Sequence, residues 1–165
     1  TCLINNASRF EPDEADTVTV DDWDSHLDTN LRAPVFLSQA FAAQLPAGEQ
    51  GNIINIIDQR VWKLNPTFFS YTASKSALWT VTRTLAQSLA PRIRVNAIGP
   101  TYFETDMVKQ IRNDPERFNF INERTPMGRW GYLPELEGTV VFLAAPASDF
   151  VTGQTIYVDG GCTIW

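Results

Sequence analysis

The 165-residue chain is poor in the residues that build metal sites and disulfide frameworks. It has two cysteines, Cys2 and Cys162, at opposite ends, and one histidine, His26. No Cys-x-x-Cys spacing occurs, so neither a zinc site nor a disulfide set is expected, and both thiols read as buried or idle. Basic residues are scarce as well. Lys and Arg number 13 against 19 Asp and Glu, a net charge of -6, which argues against nucleic-acid binding through a broad basic face. There is no run of about 18 apolar residues and no signal-peptide pattern, so no membrane partner is expected and a reducing, cytoplasmic setting is the default. What remains is ordinary globular material, 44% hydrophobic and 12% aromatic, enough for one domain with a real core and a small-molecule substrate.

Short apolar runs alternate with helical periodicity along the chain. "CLIN" at 2–5 reads as a buried parallel strand closed by a polar Asn-Asn-Ala-Ser turn. Residues 9–23 are acidic and read as a surface loop. A long helix is expected from about Asp22 to Leu45, with Trp23, Leu27, Asn30, Leu31, Pro34, Ser38, Phe41 and Leu45 on one face. "NIINII" is Ile-rich and reads as a buried strand. A second long helix runs from Phe68 or Phe69 to about Ala90, stopped at Pro91, and "IRVNAIGP" is a further strand. Residues 101–132 form a long mixed connection, with short helices expected near 104–111 and 115–124. A connection of that length in a compact domain reads as a substrate lid. A helix over "PELEGTVVFLAA" and a strand in "QTIYVDGG" close the chain. Strand and helix in alternation mean an α/β fold, a doubly wound parallel sheet of Rossmann type with helices on both faces.

Tyr71 and Lys75 are spaced i, i+4 and share a helix face. A free Tyr titrates near 10, too high for easy proton exchange at neutral pH. An ammonium about 4 Å away, at an effective dielectric near 20, favours the phenolate by up to roughly 4 kcal/mol. That lowers the pKa by up to about 3 units and makes a usable general acid or base. The strand "GNIINII" ends at Asp58, thirteen residues before Tyr71. In open α/β sheets the ligand crevice lies beyond the carboxyl ends of the strands, so Asp58 is expected to project toward Tyr71.

These features together resemble the short-chain dehydrogenase/reductase family. The matching stretches are "NNAS" at 5–8, Asn30, "GNIINIID" at 51–58, "YTASK" at 71–75, "RIRVNAIGP" at 92–100, "ETDM" at 104–107 and "VTGQTIYVDGG" at 151–161. The resemblance implies that Tyr71 donates or accepts the proton, and that Lys75 lowers its pKa and holds the nicotinamide ribose. It implies that Asn30 keeps a water in a relay to Lys75. Pro34 lacks an N–H, so the Asn30 carbonyl loses its helix bond and is open to a water. Asn6, Pro100, Phe103 and Thr105 would flank the cofactor, NADP or NAD, of which NADP is favoured. The two long helices would form a homodimer or homotetramer.

A full member of the family is longer. The resemblance therefore implies that 1–165 is a single incomplete domain without the first strands and the Gly-rich dinucleotide loop. Asp159-Gly160-Gly161 follows a strand but leads into no helix. The first strand is then expected to present an open sheet edge.

One departure bears on the substrate. The family's catalytic Ser falls where this chain has Asp58. An ionised Asp cannot donate to a carbonyl oxygen that gains negative charge. Asp, Tyr and Lys in this spacing, with Phe10 after "NNAS", resemble the pteridine reductases, so reduction of a pteridine-like C=N bond is the first expectation. The second half, "GPTYFETDM" and "ERTPMGRWGYLPELEG", resembles members acting on sugar acids and polyols, which gives the alternative. Met127, Arg129, Trp130 and Phe103 are candidate lid contacts, with packing roles equally open, and Arg129 could meet an anionic group. A catalytically idle fragment that serves only in assembly is a third reading.

Overall fold

The computed structural model describes residues 1–105 and 108–164, with only the backbone of Gln110. Asp106 and Met107, half of the "ETDM" stretch, lie outside the described residues. Four parallel strands form one sheet in the order β1 (Cys2–Asn5), β2 (Gly51–Ile56), β3 (Ile93–Pro100) and β4 (Thr155–Val158). Each lies in one of the apolar runs expected to be strands. Side chains alternate across the sheet, so neighbouring residues serve two separate cores. Ile53, Ile93 and Val95 pack with Leu45 and Ala86 under α2 (Ala33–Gln44) and α3 (Phe69–Leu89). Ile54 and Ile98 pack with Leu143 of α6 (Leu133–Ala144) on the other face. The α/β architecture with helices on both faces is as expected. Among the described residues β1 pairs only with β2 and so forms one edge of the sheet.

The first long helix begins earlier than expected and is not uniform. It runs as α1 (Val20–Leu27), a π-turn (Asp28–Arg32) and then α2. Thr19 caps its start by accepting a hydrogen bond from the Asp22 N–H at 3.1 Å, which fixes the entry of the chain. Pro34 has no N–H for the carbonyl four residues back. The helix widens there, and the Ala33 N–H reaches the Asp28 carbonyl five residues earlier. Such single wide turns recur at functional sites. Here the turn carries Asn30, fully buried and facing the interior. Ser38, the other polar member of this face, is also fully buried and donates to the Pro34 carbonyl at 2.7 Å.

Two further readings need correction. The loop 9–19 is largely exposed, but Phe10 and Val18 are half-buried and Asp13 is buried against the start of α3. In the connection 101–132, α4 covers only Lys109–Arg112, whereas α5 covers Pro115–Glu123, close to its expected place. No described helix is long and apolar enough to cross a membrane.

Candidate active site

The carboxyl ends of β1, β2 and β3 open on a cavity of about 340 Å³, a size that takes a small ligand. Tyr71, Lys75, Asp58, Asn6, Pro100, Phe103 and Thr105 all line it. Seven of the eight residues expected at the site are therefore brought together. Asn30, the eighth, lies behind the wall.

Asp58 lies two residues beyond β2 and caps the short 3-10 turn Gln59–Val61, accepting a hydrogen bond from the Arg60 N–H at 2.8 Å. That leaves its second oxygen to accept from the Tyr71 hydroxyl, also at 2.8 Å. Tyr71 is 5% exposed and Lys75 2% exposed. The Lys75 ammonium donates to the Ile56 carbonyl at 2.8 Å and lies 5.8 Å from the centre of the Tyr71 ring.

The electrostatics reverse one expectation. Tyr71 is raised well above its ordinary value, by burial first and by the neighbouring Asp58 carboxylate second. Burial and the carboxylate outweigh any pull from Lys75: the ammonium bonds to a strand-end carbonyl, and the carboxylate bonds directly to the phenol. Lys75 itself is lowered to about 8, because burial disfavours its charge more than Asp58 supports it. Asp58 is raised by burial, against the pull of the Arg60 N–H and the Tyr71 hydroxyl. Tyr71 thus holds its proton at neutral pH, and Asp58 is shifted toward its neutral acid.

Asn30 bonds to the loop after β1 and to α3. Its side-chain oxygen accepts from the Arg9 N–H at 2.8 Å and the Ser8 hydroxyl at 3.2 Å. Its amide donates to the Arg9 carbonyl and to Ser74 Oγ, each at 3.0 Å. The wide turn thereby ties the segment after β1 to α3.

Three groups at the site escaped sequence reasoning. The first is a buried relay. The Glu11 N–H donates to His26 Nε2 at 3.1 Å, so Nδ1 carries the proton toward Ser70 Oγ, 2.7 Å away. Ser70 Oγ in turn donates to the Asp13 carboxylate, which also accepts from the Ser70 N–H at 3.1 Å. This network holds the first turn of α3, and with it Tyr71. The second is Phe68, which enters α3 with φ of 58°, a left-handed conformation rare for a bulky residue. A parallel stack on Phe10, with ring centres 4.1 Å apart, holds it there. The third is Arg60, 6% exposed, whose guanidinium lies 4.9 Å from the Phe68 ring centre. A cation two residues beyond Asp58, on a loop leading to the Tyr, was the available signal.

The candidate lid contacts divide. Phe103 lines the main cavity. Trp130 is a packing residue, 3% exposed, with Tyr102 and Phe118 at ring distances of 5.3 and 5.4 Å. Arg129 makes a two-pronged ion pair with Glu135 at 2.6 and 2.9 Å. Met127 is 62% exposed and borders a separate small cavity.

A family model described as enoyl-(acyl carrier protein) reductase matches residues 1–163. The chain belongs to the short-chain dehydrogenase/reductase family. A 2-dehydro-3-deoxy-D-gluconate 5-dehydrogenase of Dickeya dadantii is 42% identical over 161 residues, 96% of this chain and 64% of the relative. The chain therefore spans somewhat less than two thirds of that relative's length. A gluconate 5-dehydrogenase from Burkholderia cenocepacia, solved with NADP and tartrate, superposes with a TM-score of 0.96 at 37% identity, covering 99% of this chain and 65% of that one. FolM alternative dihydrofolate reductase 1 from Brucella suis, solved with NADP, gives 0.89 at 46% identity, covering 99% and 64%.

The cavity has donors suited to the nicotinamide end of such a cofactor. The Lys75 ammonium offers three N–H groups, and among the described residues the one acceptor found for it is the Ile56 carbonyl. Thr101 Oγ1, in a residue that lines the same cavity, is buried without a hydrogen-bond partner among the described residues.

Proposed function

We propose that the whole protein is an NADP(H)-dependent oxidoreductase working in the reducing direction, with Tyr71 as the proton donor. The observation that carries this reading is the Tyr71 hydroxyl, protonated and 2.8 Å from Asp58, in a cavity shared with Lys75. When bound, NADPH supplies the hydride. Lys75, Asn6, Pro100, Phe103 and Thr105 would hold its nicotinamide end. Tyr71 gives its proton to the substrate atom that gains negative charge, and the ammonium of Lys75 stabilises the phenolate left behind. Asn30 positions the segment that closes the cavity behind Ser8.

For the substrate we take the sugar-acid reading first, which reverses the order expected from sequence. Similarity to the two sugar-acid dehydrogenases supports it, as does the closer backbone match to the gluconate 5-dehydrogenase. A keto group on such a substrate needs a donor where the family has Ser. Asp58 supplies one only when protonated, a form toward which burial shifts the carboxylate that now accepts from Tyr71. The pteridine reading stands second, on the identity of Asp58 itself and on the likeness to the FolM reductase. An ionised Asp58 would orient an amino-imine edge and pass a proton to it.

Asp58→Ser separates the two. NADPH oxidation is followed with 5-keto-gluconate and with dihydrobiopterin. The sugar-acid reading predicts that the variant keeps keto-acid reduction within about threefold, because Ser replaces one neutral donor by another. A wild-type enzyme that prefers dihydrobiopterin, and loses that activity by about 100-fold in Asp58→Ser, overturns it in favour of the pteridine.

A further inference from the structure

Arg60 is a buried cation that makes no bond in the proposed proton transfer, although its charge favours the ionised forms of both Tyr71 and Asp58. Asp58 caps the turn that carries it, so the acid and the guanidinium leave the same strand end two residues apart. Its side chain lines both the catalytic cavity and the groove outside it, with Phe10 and Tyr102 on the same dividing wall. One N–H donates to the Thr67 carbonyl at 3.2 Å. Among the described residues no carboxylate lies within 4.0 Å of the guanidinium, since the ion pairs found involve Arg32, Arg94, Arg112 and Arg129. A guanidinium has five donors in a planar fork that matches a carboxylate. Burying that charge costs free energy unless an anion pairs with it. Arg129, the residue first expected to meet an anion, already holds Glu135.

We propose that Arg60 is the carboxylate-recognition residue of this cavity, holding the acid group of an anionic substrate while its carbonyl or imine carbon faces Tyr71. Fixing one end of the substrate by a two-pronged ion pair orients the other end against the proton donor. This deepens the reading of the cavity as a substrate site and rests on it. The anion could be the acid group of a sugar acid or the glutamate tail of a folate. Both present the same chemistry to the guanidinium.

The test compares matched pairs in the enzyme with NADPH: 5-keto-gluconate against the neutral ketose sorbose, and dihydrofolate against dihydrobiopterin. Wild type should prefer the carboxylated member of whichever pair it reduces. Arg60→Gln should raise KM for that member by about 10- to 100-fold, leaving the neutral member within about threefold. Arg60→Lys keeps the charge without the fork, should lose less, and decides the matter if Arg60→Gln does not fold by thermal melting. Equal effects on both members, or no preference in wild type, overturn the proposal. Gluconate titration of the enzyme–NADPH complex, read by nicotinamide fluorescence, gives a readout independent of turnover. An enzyme that reduces neither pair sinks the catalytic reading. Even then, gluconate binding weakened in Arg60→Gln supports Arg60, and binding that is absent or unchanged overturns it.

Discussion

Tyr71 keeps its proton because it is buried beside a carboxylate, and Lys75 is easily neutralised because it is buried with little compensation. The two shifts set the pH response. Lys75 in the folded protein titrates at about 8 against an ordinary 10.5. The charge that stabilises a Tyr71 phenolate is therefore present below about pH 8, and reduction should fall above it. The stability effect has the opposite sign. Between about 8 and 10.5 the unfolded chain binds more protons than the folded one, so stability should rise with pH across that window. Thermal melts from pH 7 to pH 10 should show this rise in wild type and lose it in Lys75→Met. A wild-type melting temperature that falls over the same range, in parallel with the variant, would contradict the burial of this charge.

At the scale of elements, the wide turn between α1 and α2 is the device that shapes the site. Pro34 removes one helix bond, the helix widens, and Asn30 is turned inward to make four hydrogen bonds. Asn30→Ala leaves the Arg9 N–H, the Arg9 carbonyl and Ser74 without that partner. It should cost about 2–3 kcal/mol of stability, the penalty of stranded buried polar groups, read as the shift of a urea midpoint. A loss below about 0.5 kcal/mol would contradict the tie between this turn and the segment after β1.

The sequence made the strands and both long helices legible, because apolar runs and periodicity report burial directly. "YTASK" and Asp58 located the site for the same reason: their spacing along one strand-loop-helix unit is local. Asp13, His26 and Ser70 were not legible. They come from three separate segments and meet only when the loop 9–19 folds onto the start of α3. The direction of the Tyr71 shift was missed because an i, i+4 spacing fixes a shared face but not which neighbour the hydroxyl meets. The ammonium found a carbonyl of β2, and the hydroxyl found Asp58.

At the scale of the molecule, one end of a four-stranded parallel sheet gathers Tyr71, Asp58, Lys75 and Arg60 into a single cavity. The outer side of α2, in contrast, leaves Phe36 and Leu37 exposed at 60% and 53%. All functional roles converge on whether Tyr71 is the proton donor. The measurement that tests this most directly is kcat/KM of Tyr71→Phe with NADPH and the better of the two substrate classes, beside a thermal melt. A loss of about 10²- to 10⁴-fold, with a melting temperature within about 2 °C of wild type, is the predicted result. Turnover within tenfold of wild type would contradict it.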